Sequence, residues 1–274
     1  MTVLNEVAES RELLVNLTAR ELKGKYKGSI LGWGWSLVNP LATMAIYTVV
    51  FSFFLKVQVP VGQRTGIKVF ALWLVCGLLV WNLMSNAIAA GMASLTSNGN
   101  LIKKVWFPRE TLVLSTVLAL VATLGIELLV LGVALAFAGN VVLLWLPGVI
   151  LMMFLLMLFV TGLALALSVA NVYFRDLQYL VSIGLQMWFY LTPIIYPPSL
   201  VFARRGQEIA GVSIWTLYQL NPAYTFVESF RDLLYDEHYP SLGRIAYCAA
   251  WSLGSLAVGF FVFRRYEGRL AEEL

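Results

Sequence analysis

The sequence predicts an all-α membrane protein with six transmembrane helices, an N-terminal amphipathic interface helix, and a re-entrant helical hairpin between spans five and six. Three observations carry that reading. Of 274 residues, 60% are hydrophobic and only 12% charged, with a mean hydropathy of +0.80, against roughly 45–50% and about 25% in soluble domains. Six stretches, about 37–55, 69–90, 111–138, 147–170, 177–197 and 244–263, are apolar enough to cross the bilayer, which takes about 20 residues per helix. The basic residues fall in alternate connections. Arg11, Arg20, Lys23, Lys25, Lys27, Lys103, Lys104, Arg109, Arg175, Arg264, Arg265 and Arg269 lie on one side, against seven of the 19 on the other, so both termini are expected in the cytoplasm.

Six spans leave room for one polytopic domain and no soluble enzyme beside it. Residues 1–29 read as a cytoplasmic interface segment, 30–266 as the transmembrane domain and 267–274 as a cytoplasmic tail. The net charge of +4 records topology and does not imply nucleic acid. Cys76 and Cys248 lie inside apolar runs and read as core packing. The first apolar run begins near Leu37, too late and after too many charges for a secretory signal, so the N-terminus is expected to be retained.

Residues 10–28 read as a surface helix, with Leu13, Leu14 and Leu17 on one face and Arg11, Glu12, Asn16, Arg20 and Lys23 on others. Such a helix anchors at an anionic membrane surface or also touches a cytoplasmic partner. Trp33 and Trp35 suit the headgroup level, and Asn39-Pro40 permits a bend at the start of span one. The connection between spans two and three, Ser97 to Glu110, is short, basic and oddly apolar. After an Asn98-Gly99 turn and Asn100, Leu101, Ile102, Val105 and Trp106 repeat as one face of a short helix opposite Lys103 and Lys104. That face either dips into the bilayer or fits a groove on a soluble subunit. Pro108 suits the first turn of span three.

The 198–243 connection is too long to be structureless. It carries a short apolar run, Ser213–Leu220, stopped by Asn221-Pro222, then a stripe of Ala223, Phe226, Val227, Phe230, Leu233 and Leu234, with Thr225 and Glu228 spaced as a capping box. Neither run is long enough to cross, so both read as a hairpin dipping in from outside. Non-helical backbone at that depth is tolerated only inside protein or along a watery cavity, which places a pathway or its lid here.

Little catalytic chemistry is legible. No phosphate-cradling G-x-x-x-x-G-K-[ST] run is present, so the chain is not expected to hydrolyse ATP alone. His238 is the single histidine and reads as a surface group, and no Cys, His or Asp set has metal-ligand spacing. Glu127, the one acid well inside a span, is expected to face the bundle interior or a cavity, either structurally or with a direct part in transport. Trp188, Phe189, Tyr190 and Tyr196 recur along span five; packing explains any single one, and inward-turned rows would offer faces for sugar rings.

The run from Arg20 to Trp35, continued by Leu37-Val38-Asn39-Pro40-Leu41, strongly resembles the start of the membrane subunit of polysaccharide ABC transporters, the ABC-2 type permeases that export O-antigen, teichoic acid or capsule. So do Ser97 to Glu110, Phe174-Arg175-Asp176-Leu177 leading to Tyr190–Pro197, and Leu220-Asn221-Pro222, in the family's order. The resemblance implies a homodimeric permease of a bacterial cytoplasmic (inner) membrane, assembled with two copies of an ABC ATPase. ATP and Mg would sit on that partner, and this chain would bind no cofactor of its own. It implies that Asn98, Gly99, Asn100, Leu101, Ile102, Lys103, Lys104, Val105 and Trp106 form the coupling helix, and that residues 10–28 contact the ATPase. A channel between protomers would be lined by spans one and five, making Tyr47, Phe51, Trp188, Tyr190 and Tyr196 candidates, and the hairpin would cap it. The cargo would be a lipid-linked glycan, whose diphosphate Arg20, Lys23, Lys25 and Lys27, next to Tyr26, would attract at the lipid headgroups, unless these cations only record topology. An ABC-2 exporter of drugs or small lipids is the alternative, and an ATPase-independent carrier or membrane enzyme stands further off.

Overall fold

The computed structural model describes residues 11–25, 34–54, 61–209 and 211–273. The predicted positions Tyr26, Lys27 and Trp33 lie outside them. Apolar runs become helices because a backbone surrounded by hydrocarbon must satisfy its own hydrogen bonds. Helix α1 is Arg11–Lys25, α2 is Trp35–Tyr47 with a π-helical continuation at Thr48–Phe54, and α3 is Phe70–Ser97. The short α4 is Gly99–Lys104, and the long α5 and α6 are Glu110–Phe137 and Leu146–Tyr173. Helix α7 is Leu177–Tyr190, α8 is Pro198–Phe202, α9 is Ile214–Gln219 and α10 is Pro222–Leu234. Helix α11 is Leu242–Tyr266 and α12 is Leu270–Glu273. A two-stranded antiparallel hairpin, β1 Glu208–Ile209 and β2 Val212–Ser213, turns at Gly211, whose φ of +80° suits glycine.

Among the described residues, four helices are long and apolar enough to cross a membrane: Phe70–Ser97, Glu110–Phe137, Val142–Tyr173 and Leu242–Arg269. The two other expected spans differ. The first contains a shorter apolar helix, Leu41–Val50, within a helix that runs through Pro40 and widens to π geometry beyond Tyr47. The run 177–197 is helical for only 14 residues, about 21 Å of rise against a hydrocarbon core of roughly 30 Å. It ends because Pro193 disfavours helical geometry at Thr192, and the chain tightens into turns stabilised by Thr192 N–H to the Phe189 carbonyl (3.2 Å) and Ile194 N–H to the Thr192 carbonyl (2.7 Å).

Helix α3 is the centre of the bundle. Its most apolar window is 83% buried, against 17% for α11, and α5, α6, α7 and α10 pack around it. Helices α6 and α11 approach most closely through glycine: a Cβ on Gly162 would lie 2.2 Å from the Ser255 carbonyl carbon, and one on Gly259 2.1 Å from the Gly162 carbonyl oxygen. Backbones this close gain van der Waals contact that larger residues would prevent. Helix α1 lies along α5 with Leu17 buried, Leu13 and Leu14 half-buried and its charged face outward, which agrees with the face read from sequence. At the same basic end, Leu270 of the C-terminal α12 is buried against α4 and α6.

Two local expectations are corrected. Helix α10 starts one turn before the expected capping box: Pro222 occupies its first turn, and the Asn221 side chain caps it by accepting from Ala223 N–H at 3.0 Å. Thr225 is therefore internal, and Glu228 pairs with Arg231 instead. Pro108 precedes α5, and its carbonyl accepts from the Thr111 N–H and hydroxyl.

Replacing Gly162 with Leu is expected to cost about 1–3 kcal/mol through overpacking, read as a lower melting midpoint in mild detergent. Gly125→Ala, where an added Cβ meets nothing within 4 Å, is expected to be neutral or to stabilise by about 0.5–1 kcal/mol.

Candidate functional site

The basic end is built on the Asn98 amide, which leaves α3 by donating to the Ser94 carbonyl at 2.9 Å while accepting from the Arg20 guanidinium at 2.9 Å. Helix α1 is thereby tied to the start of the α3–α5 connection. Gly99 and Asn100 open α4, and Leu101 and Ile102 turn into the core, Ile102 being only 6% exposed. Lys103 and Lys104 point outward. The expected four-residue apolar face is split, because α4 ends at Lys104 and Val105 is extended at φ −131° and ψ 136°. Val105 is exposed, and Trp106 is 92% exposed. One half of the motif anchors the loop; the other presents an unpartnered indole beside a cup of about 240 Å³ lined by Ile102, Lys104, Phe107 and Arg109.

The other side of this loop is fastened by residues the sequence reading named only as topology-marking cations or as the end of the 97–110 motif. The Arg109 guanidinium donates to the Glu267 carbonyl, and Arg264 of α11 meets the fully buried Glu110 at 3.3 Å. The loop is thereby joined to α3 through Asn98, to α5 through Glu110 and to α11 through Arg264.

At the opposite end, α10 enters the bundle deep and leaves it shallow. Its cap, Asn221, accepts from the Trp188 indole at 2.8 Å, and Trp188 meets Trp81 edge-on at 5.8 Å. Trp81 is about 17 Å along α3 from Phe70. The Phe226 ring lies 5.5 Å from Phe159, about 20 Å along α6. Near its end, α10 carries Arg231, 2% exposed, with its guanidinium carbon 3.6 Å from the centre of the Trp73 ring. Arg231 donates to the Pro193 carbonyl at 2.8 Å and the Ile194 carbonyl at 2.7 Å, and pairs with Glu228 at 2.8 Å. Gly77 makes room, since a Cβ there would lie 2.7 Å from the guanidinium.

Of the expected channel residues, Trp188 is turned into the protein by its bond to Asn221, and Tyr47 is half-buried against the core. Tyr190 is exposed, and Tyr196 donates to the Tyr190 carbonyl and meets the Tyr218 hydroxyl at 2.9 Å. Phe51 lies in the π-helical turn. Lys23 is exposed, and Lys25 ends α1. Glu127 is half-buried on α5 and has a partner within the chain.

Asp232, Asp236 and His238 bring ligand atoms within 4.8 Å of one another. Arg244 already supplies positive charge to Asp232, and the His238 ring lies 3.6 Å from the same carboxylate, so the group reads as an internally partnered polar network. Burial pushes the Asp236 carboxyl above its ordinary range, opposed by the Gln63 N–H donated to it at 2.9 Å.

The sequence profile described as ABC-2 type transporter matches residues 12–235, most of the chain. The chain belongs to the ABC-2 type transporter family. Relatives with curated names agree along its length. The O-antigen export system permease protein RfbA of Myxococcus xanthus is 30% identical over 275 residues, covering 99% of each chain. Two proteins of the same name from Klebsiella pneumoniae are each 29% identical, covering 96% of this chain and 95% of theirs. The two ends described above therefore belong to an ABC-2 transporter chain, a multi-pass membrane transport subunit.

Arg231→Met in this ABC-2 chain removes the donors to two buried carbonyls and strands Glu228. A loss of about 3–5 kcal/mol is expected, measured by thermal unfolding, with faster proteolysis at the exposed Arg204–Gln207 turn as a local readout.

Proposed function

We propose that this chain is the membrane permease of an ATP-driven exporter that carries lipid-linked polysaccharide, of the O-antigen or teichoic acid kind, across the bacterial inner membrane. The observation that carries the reading is the near full-length similarity to O-antigen export permeases. The same names support lipid-linked glycan over drugs or small lipids as cargo. Both termini and α4 are cytoplasmic in this reading, in keeping with the basic residues gathered there.

A separate ABC ATPase, with ATP and Mg, docks on Val105, Trp106 and the adjoining cup. A 92% exposed Trp supports this, since buried Trp anchors rank among the strongest contributors to protein interfaces. Closure of two ATPase copies moves the loop, and the Asn98, Glu110 and Arg264 ties pass that motion into the bundle. The permease is a homodimer. Helix α7 has no buried residue, and Leu180, Ile183 and Met187 are exposed along it; a second copy would cover that face and place Tyr190 beside a shared channel. The depth of Asn221 and the return of α10 towards Arg231 support a re-entrant hairpin that caps the channel from outside. Arg20, Lys23, Lys25 and Lys27 attract the cargo's diphosphate at the inner headgroup level, and Glu127 serves the bundle interior.

Trp106→Ala is expected to leave thermal stability within about 0.5 kcal/mol, as for other surface changes. It is expected to weaken ATPase association by about 30-fold, the equivalent of a 2 kcal/mol hot spot. Co-purification with a Walker-motif subunit and surface-glycan export measure this. Unchanged association and export in the variant would remove Trp106 from the docking surface, and failure of the wild-type chain to recover any ATPase from its native host would overturn the exporter reading.

A further inference from the structure

A cavity of about 1010 Å³ lies between α6, α11, the end of α7 and the α9–α10 turn. Phe159 and Leu163 of α6 and Tyr247 to Val258 of α11 place it along the middle of two membrane-length helices. Leu217, Leu220 and Val258 on its wall are exposed, so it opens to the outside of the bundle.

Its walls leave little for a polar ligand to bind. The Trp188 indole donates to Asn221, the Asn221 amide donates to Thr192 at 2.9 Å, and the Tyr218 hydroxyl meets Tyr196. The Tyr247 hydroxyl donates to the Leu220 carbonyl at 2.7 Å, and Ser255 to the Phe159 carbonyl at 3.0 Å. Phe159 and Tyr247 flank the Trp251 ring edge-on. An ordered water needs two to four polar partners, and cavities without them stay dry or take apolar guests. Gly254 lies on the same wall, and an added Cβ there would meet nothing within 4 Å. In mid-helix that residue forgoes about 0.5–1 kcal/mol relative to Ala and leaves the space open.

We infer that this cavity is a binding site for one acyl chain of a resident membrane phospholipid, seated between α11 and the hairpin. A resident lipid fits better than cargo because the surrounding elements are fastened together: α6 and α11 meet through Gly162 and Gly259, and the hairpin is bonded to the end of α7 through Asn221. The seated chain fills the void under the α9–α10 turn and holds it against α11. The inference needs only that the chain lies in a bilayer and does not depend on the exported substance.

The test compares the full-length wild type with Gly254→Trp, which fills the cavity, and Gly125→Trp, which projects into open space on α5 away from it. Gly254→Leu serves where the larger variant does not fold. Each is purified in mild detergent, checked for helicity and oligomeric state, and examined by native mass spectrometry and by thermal unfolding with added dioleoylphosphatidylglycerol. Retained phospholipid and a lipid-induced rise in melting midpoint are expected for wild type and Gly125→Trp. Apparent lipid affinity is expected to fall by about tenfold or more in the Gly254 variants. Equal lipid retention in folded Gly254 variants, or a folded wild type with no lipid and no thermal response, overturns the proposal. So does retention of a polyisoprenyl lipid in place of phospholipid, which would make the site one for cargo, or loss of a dimer in the Gly254 variants, which would make it a protomer interface.

Discussion

A buried guanidinium holds together the end of this bundle opposite the basic loop. An unpaired cation at the position of Arg231 would be severely destabilising, so its surroundings are built to hold it: the Pro193 and Ile194 carbonyls, Glu228 and the face of Trp73. Those partners come from three separate parts of the chain. The apolar run 177–197, whose helix ends at Tyr190, leaves carbonyls which no helix satisfies, and Arg231 satisfies two of them. The break in that run and the buried arginine are therefore two halves of one arrangement, and Gly77 is the space it requires.

Other connections gather around the same helix end. The Tyr235 hydroxyl donates to the Ile67 carbonyl at 2.7 Å, Asn140 donates to the Leu234 carbonyl at 2.6 Å, and Glu237 accepts from the Val141 N–H at 2.6 Å. The 61–69 and 138–145 segments are thus positioned from α10. The basic end follows the same logic with different groups: Asn98, Glu110 and Arg264 join α1, α3, α5 and α11 around an exposed Trp106. Polar ties fasten the helices at both ends, and close glycine packing joins α6 and α11 between them.

The fold class was legible in the sequence because apolar length and the absence of charge are themselves the physical cause of membrane helices. Span six, the α1 apolar face through Leu17, and the separate helices on either side of Asn221-Pro222 all follow from local pattern. The profile match to the ABC-2 family agrees with the motifs that carried the resemblance. The Leu101–Trp106 motif was legible as composition only. Periodicity puts Leu101, Ile102, Val105 and Trp106 on one face, but the helix stops at Lys104, so two residues pack inward and two face away.

By itself, the sequence determined that this protein is a helical membrane chain and where four long apolar helices lie, since those properties depend on neighbours within a few turns. The two further spans it led one to expect are shorter helices, and two helix starts fall elsewhere. Only the tertiary structure decided where each polar group is satisfied. Arg231 sits in sequence like any basic residue of an outer loop, and Trp188 like any aromatic of a span. Their partners lie 37 and 38 residues away for the Arg231 carbonyl contacts, and 33 for the Trp188 bond to Asn221. Burial of a charge or an indole N–H is decided by such distant partners, and the short-range periodicity that reveals a helix carries no record of them.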